Sequence, residues 1–399
     1  MLLPYNTTKL GELTRELDAW GQRLDYRTPL PRTWLGRIRR ELEAEAIAAS
    51  TSMEGVPVTI EEVRRILAGE KPSEVSDQDR ALVEGYRDAM AFVLRRADDP
   101  SFTWNRELIV ALHDRVLAGR FGDGAGRLRT GPTKVARRDT GEQVFAPPQP
   151  EEVPDLVDEA CGRMEQASDH PAVMSAWLHV AIAAIHPFRD GNGRAARVLA
   201  SLAMYRGGFK RPEFTSLEEW WGRNLQIYYG SFACLGDAFD RNADVTPFVE
   251  AHMTAHLHQI RALDARERTQ QQVWTALEEV AEDRGLNTRV ANALWDAFFG
   301  RFITAGYYRG LSDVSPATAT NDLAAAVSAR LLQAQGERRG RRYMAGSSLY
   351  REVGGALFID PIPEDAEAAR GAIVTELATR LTSTGEAFGF PRRPFSEEN

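Results

Sequence analysis

The apolar run from Val173 to Ile185 repeats with helical periodicity, and the alanine-rich run from Ala195 to Tyr205 is composed of good helix formers. A short glycine-bearing segment separates them, so the pattern predicts a helix, a tight loop and a helix N-terminus. Upstream, Asp77 to Arg96 places Leu82, Val83, Tyr86, Met90, Val93 and Leu94 at helical spacing, and Leu108 to Leu117 does the same. Both read as core helices. His113 inside the second reads as structural or exposed rather than catalytic. Earlier still, Arg37 to Ile47 is amphipathic and rich in Glu, Ala and Arg; Val56-Pro57 marks a turn, and Thr59 opens another helix with Glu62 at the capping-box position.

The pattern changes after residue 121. Gly122 to Gly131 is dense in glycine, and Thr133 to Phe145 has short β-like character broken at Arg137-Arg138-Asp139-Thr140-Gly141 and stopped by Pro147-Pro148. That predicts a hairpin or flap with the Asp-Thr-Gly turn at its tip. Ser216 to Leu263 is helical again, with Trp220, Trp221, Tyr228, Tyr229 and Phe232 supplying bulk that reads mainly as core. His252, His256 and His258 include an i, i+4 pair able to hold a metal, but the Glu of a His-Glu-x-x-His motif is missing, and a solvated helix face is the expectation.

Charged residues crowd Ala262 to Gln272, which predicts a boundary before a second module. There Val273 to Ala281 reads as a helix. A helix-turn-helix pattern runs from Arg301, with Ser315 as an N-cap and Pro316 at the first helical position. Leu331-Leu332 and Gly336 to Tyr343 suggest a two-stranded wing with a basic turn. One more helix, near Glu364 to Leu381, precedes a Pro- and Glu-rich end expected to fray. The expected architecture is mainly α: an N-terminal helical region over 1–75, a helical bundle with a short β-hairpin flap over 76–262, a small α+β module over 266–350 and a C-terminal helix and tail over 351–399.

Composition narrows the function classes. The chain has 399 residues, 43% of them hydrophobic, enough for a substantial core. A net charge of −8 and an isoelectric point near 5.6 give no global attraction to nucleic acid or anionic membrane. Two cysteines, Cys161 and Cys234, cannot build a disulfide framework and lack metal spacing, so a reducing compartment is expected. With no leader pattern and no apolar run of membrane length, a cytoplasmic protein without membrane partners is the expectation.

The segment from His186 to Arg197 reads His-Pro-Phe-Arg-Asp-Gly-Asn-Gly-Arg-Ala-Ala-Arg. A helix N-terminus offers unpaired N–H groups and partial positive charge, so an anion is its natural occupant. Gly191 and Gly193 allow close approach of the backbone to a phosphate, and Asn192 can donate its amide. Arg194 and Arg197, three residues apart, can clamp successive phosphates. Asp190 is a hard oxygen ligand suited to Mg²⁺, and His186 can accept a proton at neutral pH.

This segment resembles the signature of the Fic family, HPFx[D/E]GNGRxxR, at every defined position. The resemblance implies a mostly helical fold and transfer of AMP from ATP to a hydroxyl of a target protein. It further implies that His186 deprotonates a Ser, Thr or Tyr hydroxyl and that Phe188 anchors the loop. By the same likeness Asp190 holds Mg²⁺ and Asn192 with Gly191 and Gly193 cradles the α-phosphate. Arg194 and Arg197 then bind the β- and γ-phosphates, and Asn224, Tyr228 and Tyr229 are candidates for the adenine pocket. Relatives of the Doc type, which transfer phosphate, carry Lys at the position of Gly193 and lack the second Arg. The hairpin with its Gly126-Arg127-Leu128-Arg129 approach is similar to the flap over Fic active sites, where an extended target segment pairs.

Ser50-Thr51-Ser52-Met53-Glu54-Gly55 is similar to the family's inhibitory pattern, [S/T]xxxE[G/N]. From the residues alone, Gly55 closes a helix C-terminus; the resemblance adds that Ser50 and Glu54 face Arg197 and that Glu54 takes the place of the γ-phosphate. A Glu there is also placed to help remove AMP, and the sequence leaves that direction open. The second module resembles the winged helix-turn-helix that often follows a Fic domain. Thr318, Thr320 and Asn321 could touch bases, but Asp322 is anionic, so duplex DNA through residues 301–343 and a protein-docking or homodimerising role stay open together. Two functions compete: an autoinhibited protein adenylyltransferase, and a transcription regulator whose nucleotide site only senses.

Overall fold

The computed structural model describes residues 2–25, 32–118, 120, 122, 124–137, 140–210, 217–337 and 340–381, with side chains in the second helix from Leu42 onward. The expected frayed tail after residue 381, the hairpin-tip residues Arg138 and Asp139, and Arg338 and Arg339 of the basic turn lie outside the described residues. The chain divides into two compact units, Met1–Ile260 and Arg261–Asn399. Both are mostly helical.

In the first unit the helices are α1 (Thr7–Asp25), α2 (Arg32–Met53), α3 (Ile60–Leu67), α4 (Asp77–Ala97), α5 (Arg106–Val116), α6 (Val153–Glu165), α7 (Pro171–Ile185) and α8 (Asn192–Arg206). Two short ones follow, α9 (Leu217–Arg223) and α10 (Leu225–Ser231). Helix α7 is the centre of the core. Its residues from Ala172 to Ile185 are buried except Ala183, as a helix apolar on all sides requires. It starts at His170, whose side chain caps the first turn, with Pro171 at the first position. Helix α8 packs along it, α4 flanks α8, and α2 lies against both α4 and α9. Thr59 and Glu62 form the expected reciprocal capping box of α3.

The β-like stretch is a two-stranded antiparallel hairpin, β1 (Val135–Ala136) and β2 (Gln143–Phe145). Arg137 N–H donates to Glu142 O, and Gly141 turns at φ 69°. Ala146, just after β2, bridges Ala238 in parallel.

The boundary expected around 262–272 falls beside the division at Ile260 and Arg261, and it lies inside a helix: α11 (Thr246–Asp283) runs through the charged crowd as one helix of 38 residues. Arg, Glu, Gln and Ala are strong helix formers, so charge density alone does not end a helix. The segment 217–263, expected to be helical, is built of α9, α10, a 3₁₀ turn (Phe232–Leu235) and the start of α11. Helices α1 and α6 were not foreseen.

The second unit continues with α12 (Ala291–Phe298), α13 (Ala305–Ser312), α14 (Pro316–Ser328), the antiparallel pair β3 (Leu332–Gln335) and β4 (Arg342–Ala345), α15 (Leu349–Ala356) and α16 (Ala366–Leu381). Ser315 caps α14 by accepting from Thr318 N–H at 3.1 Å. Ile303 and Tyr343 exchange backbone hydrogen bonds, adding a one-residue bridge to the pair. Asp322 is held by Arg289 at 2.8 and 3.0 Å and by the Tyr308 hydroxyl at 2.9 Å. No helix among the described residues is long and apolar enough to cross a membrane.

Candidate active site

The loop between α7 and α8 is fixed from below. His186 closes α7 in the left-handed conformation, φ 49°, which turns the chain sharply out of the helix. Phe188 is fully buried and stacks on His113 with ring centroids 3.6 Å apart and planes within 4°. His113 is therefore structural. Its Nε2 lies 2.8 Å from Asp190 O, and its Nδ1 accepts from Gly126 N–H at 3.2 Å. A ring nitrogen accepting on one side leaves the proton on the other, so Nε2–H donates to Asp190 O. Burial, first of all, pushes the His113 pKa down to about 4.

Asn192 braces the same loop. Its Oδ1 accepts from Phe188 N–H and its Nδ2 donates to Phe188 O, both at 2.9 Å. The side chain expected to donate to a phosphate is engaged with Phe188 and 4% exposed. Gly191, φ 77°, begins α8; a Cβ there would press on His113 Nε2 and Leu117 at 3.2 Å.

The His186 imidazole is poised for neutrality. Burial is the main cause lowering its pKa. Nδ1 lies 3.3 Å from Ala183 O, and a carbonyl can only accept, so the proton sits on Nδ1 and Nε2 keeps its lone pair. The His186 carbonyl in turn accepts from Arg129 Nε at 2.8 Å. Arg129 is 7% exposed and also donates to Gly131 O and Pro148 O at 3.1 and 2.6 Å, tying both ends of the flap to the loop. Sequence reasoning quoted Arg129 only as part of the flap approach.

Two arginines and two carboxylates line the start of α8. Arg197, 3% exposed, donates from Nε to Ser50 Oγ at 3.0 Å and from Nη2 to Ser50 O at 3.1 Å and Glu54 Oε1 at 2.9 Å. Ser50 near the end of α2 and Glu54 in the turn just after it thus meet the same guanidinium, while Gly55, φ 77°, closes the helix. The Glu54 carboxylate lies against Gly193, where a Cβ would collide with Oε1. Arg194 is 2% exposed, and its Nε and Nη1 have no hydrogen-bond partner; Nη2 lies 3.5 Å from Asp190 Oδ2. Two buried cationic N–H groups without acceptors at a helix N-terminus fit an anionic ligand. Asp190 itself is 59% exposed, and no cluster of three metal-binding side chains occurs among the described residues. A single carboxylate matches Mg²⁺ held mainly by phosphates and water.

The outlying candidates fall elsewhere. Tyr228 is 4% exposed and lies behind Arg197, accepting from Nη1 at 3.3 Å. Its hydroxyl therefore supports the arginine. Tyr229 is 56% exposed and donates to Met53 O at 3.2 Å, holding the end of α2. Asn224 Nδ2 is spent on Trp220 O at 2.9 Å. His252 and His256 are buried, at 1 and 2% exposure, so the expected solvated face is wrong for them. Neutral imidazoles enter a core when ring nitrogens pair with one another, and His252 Nε2 lies 3.2 Å from His179 Nδ1. His258 stacks on Trp220 with centroids 4.7 Å apart.

Comparison with known proteins agrees with this geometry. Residues 103–204 match the family model described as Fic/DOC family. The chain is 37% identical over 105 residues to protein adenylyltransferase fic-1 of Caenorhabditis elegans, covering 25% of this chain and 19% of that one. It is 28% identical over 213 residues to protein adenylyltransferase Fic of Nematostella vectensis, covering 50% and 47%. It thus spans about a fifth to a half of the lengths of these relatives. Its fold is similar to the crystal structure of a Fic family protein from Desulfovibrio desulfuricans G20, with TM-score 0.56 and 23% identity over 86% of this chain and 98% of that one. The loop from His186 to Arg197 therefore lies within a domain of the Fic/DOC family, carried on a mostly helical chain.

Proposed function

We propose that the protein is a protein adenylyltransferase, moving AMP from ATP to a Ser, Thr or Tyr hydroxyl of a target protein, with itself among the targets, and that Glu54 holds it inactive. One observation carries the reading: Arg194 presents two buried, unpaired N–H groups beside the α8 N-terminus, while the Glu54 carboxylate already occupies Gly193 and Arg197. A carboxylate at an anion site is the simplest stand-in for a phosphate.

The chemistry asks little covalent help of the protein. His186 Nε2, unprotonated, takes the proton of the target hydroxyl, and the oxygen forms a bond to the α-phosphorus. The bond from that phosphorus to the bridging oxygen breaks, and pyrophosphate leaves. The proton then passes from His186 to solvent. Arg194 and the first-turn N–H groups stabilise charge on the phosphates. Arg197 does so only when Glu54 releases it. Mg²⁺, held by Asp190, would supply charge neutralisation between the phosphates. The flap edge offers an extended target segment main-chain hydrogen bonds.

The test is label transfer from α-labelled ATP with Mg²⁺ to protein, comparing Glu54→Gly with Glu54→Gly/His186→Ala. Label that persists without His186 contradicts the assigned base.

A second reading concerns the second unit. The helix pair α13–α14 and the β3–β4 hairpin support a winged helix-turn-helix, and Asp322, the charge that weighs against DNA, is consumed by Arg289 and Tyr308. A salt-dependent mobility shift on duplex DNA tests it, since phosphate-driven binding weakens steeply with salt.

A further inference from the structure

Behind Arg197 runs a line of polar side chains that the reaction above does not use. Arg197 Nη1 lies 3.3 Å from the Tyr228 hydroxyl, that hydroxyl 3.2 Å from His179 Nε2, and His179 Nδ1 3.2 Å from His252 Nε2. The His252 ring meets His256 edge-on, with centroids 5.0 Å apart. Tyr228, His179, His252 and His256 are all buried.

Proton positions follow from the group that can only donate. A guanidinium accepts nothing, so the Tyr228 oxygen accepts from Arg197, and the acceptor within reach of its own proton is His179 Nε2. His179 then carries its proton on Nδ1 and gives it to His252 Nε2. That leaves His252 protonated on Nδ1. His252 Nδ1 and both nitrogens of His256 have no partner among protein atoms. These rings border a cavity of about 10 Å³ shared with Arg197, Glu218 and Trp221, about the room one water needs.

We propose that Tyr228, His179 and His252 are positioning residues for Arg197: an uncharged hydrogen-bond chain of fixed direction, completed by one water between His252 and His256, sets the plane of the guanidinium. Its outer edge then meets Glu54 or, on the nucleotide reading given above, a phosphate. Neutrality is essential to the chain, because a proton on His179 would place a second cation on the other side of Tyr228. Burial keeps it away, pushing His179 and His256 down to about 3 and His252 well below its ordinary value.

The test uses the whole chain carrying Glu54→Gly, alone and with Tyr228→Phe, His179→Leu or His179→Asn. Imidazole nitrogen NMR at neutral pH should show His179 and His252 protonated on Nδ1; protonation of His179 on Nε2 overturns the chain. Binding of a non-hydrolysable ATP analogue should weaken about tenfold in Tyr228→Phe and in His179→Leu, the loss of one hydrogen bond to a charged group. His179→Asn, whose amide both accepts and donates, should stay within about twofold. Equal affinities in Tyr228→Phe and its parent overturn the positioning role, and that variant removes a single oxygen, so the answer does not hang on whether His179→Leu folds. If the Glu54→Gly parent itself fails to bind the analogue, the nucleotide reading falls, while the ring tautomers still decide the chain.

Discussion

The Glu54 carboxylate fills the space in front of Gly193: a side chain at Gly193 would collide with Glu54 Oε1 and press on Arg197 Nη1 at 3.2 Å. Glycine is required here by a neighbour, since Gly193 lies inside α8 with no unusual backbone. The contact joins α2, far away in sequence, to the N-terminus of α8, where an anion is most strongly attracted.

That relationship predicts coupling between the two positions. Gly193→Ala should cost about 1–3 kcal/mol in the wild-type background through overpacking. In Glu54→Gly the collision is gone, and the same change should be neutral or stabilising by up to about 1 kcal/mol through helix propensity. Urea unfolding of the four proteins closes the cycle. Additive effects would mean that Glu54 does not rest on Gly193.

Arg194 is built for a ligand at the expense of the unliganded fold. Its buried Nε and Nη1 have no acceptor, and each such group costs about 1–3 kcal/mol. Arg194→Met should therefore raise the melting temperature of the ligand-free protein while reducing ATP affinity by tenfold or more, about the worth of a charged hydrogen bond. A variant that loses stability and keeps its affinity for ATP would remove Arg194 from the site.

Much of this was legible beforehand, and the failures have physical causes. The loop residues lie within twelve positions of one another, so local helix, turn and capping rules place them. Helix spacing puts Ser50 and Glu54 on one face, but only the family resemblance named Arg197 as their partner. Arg129 was not legible, because its role depends on three carbonyls brought together by the fold, His186, Gly131 and Pro148. His252 and His256 misled, since an i, i+4 pair of polar residues looks like a wet face until the partner His179, on another helix, is known. Tyr228 was read as bulk and as an adenine-pocket candidate; its hydroxyl contacts Arg197 and His179, which lie far from it in sequence.

Arg129 carries a prediction of its own. Lysine cannot span three carbonyls, so Arg129→Lys in a Glu54→Gly background should lower kcat about tenfold, about the energy of one such contact. The KM for ATP should change little, because Arg129 touches the loop and flap and no phosphate-facing group. A pure rise in KM would show that the flap clamp serves nucleotide binding instead.

Acid should destabilise the protein in a defined window. His113, His179 and His256 are pushed by burial to about 4, 3 and 3. Above about pH 6.5 these rings are neutral both folded and unfolded, so they contribute no slope. Below it the unfolded chain binds protons that the folded one refuses, and stability falls, each ring contributing up to about 1.4 kcal/mol per pH unit until its folded value is reached. Denaturant unfolding at successive pH values should show this loss between neutral pH and about pH 5. A flat profile there would contradict the burial of neutral rings. For His186 the same direction of shift places the acidic limb of the kcat/KM profile below about pH 6.5.

The most direct measurement is self-labelling with α-labelled ATP and Mg²⁺, comparing wild type with Glu54→Gly. Glu54 and an ATP phosphate compete for one guanidinium, Arg197, and removing the carboxylate should raise label incorporation by tenfold or more, about the worth of one charge-assisted hydrogen bond. Equal incorporation in the two proteins would contradict the claim that Glu54 holds the site closed.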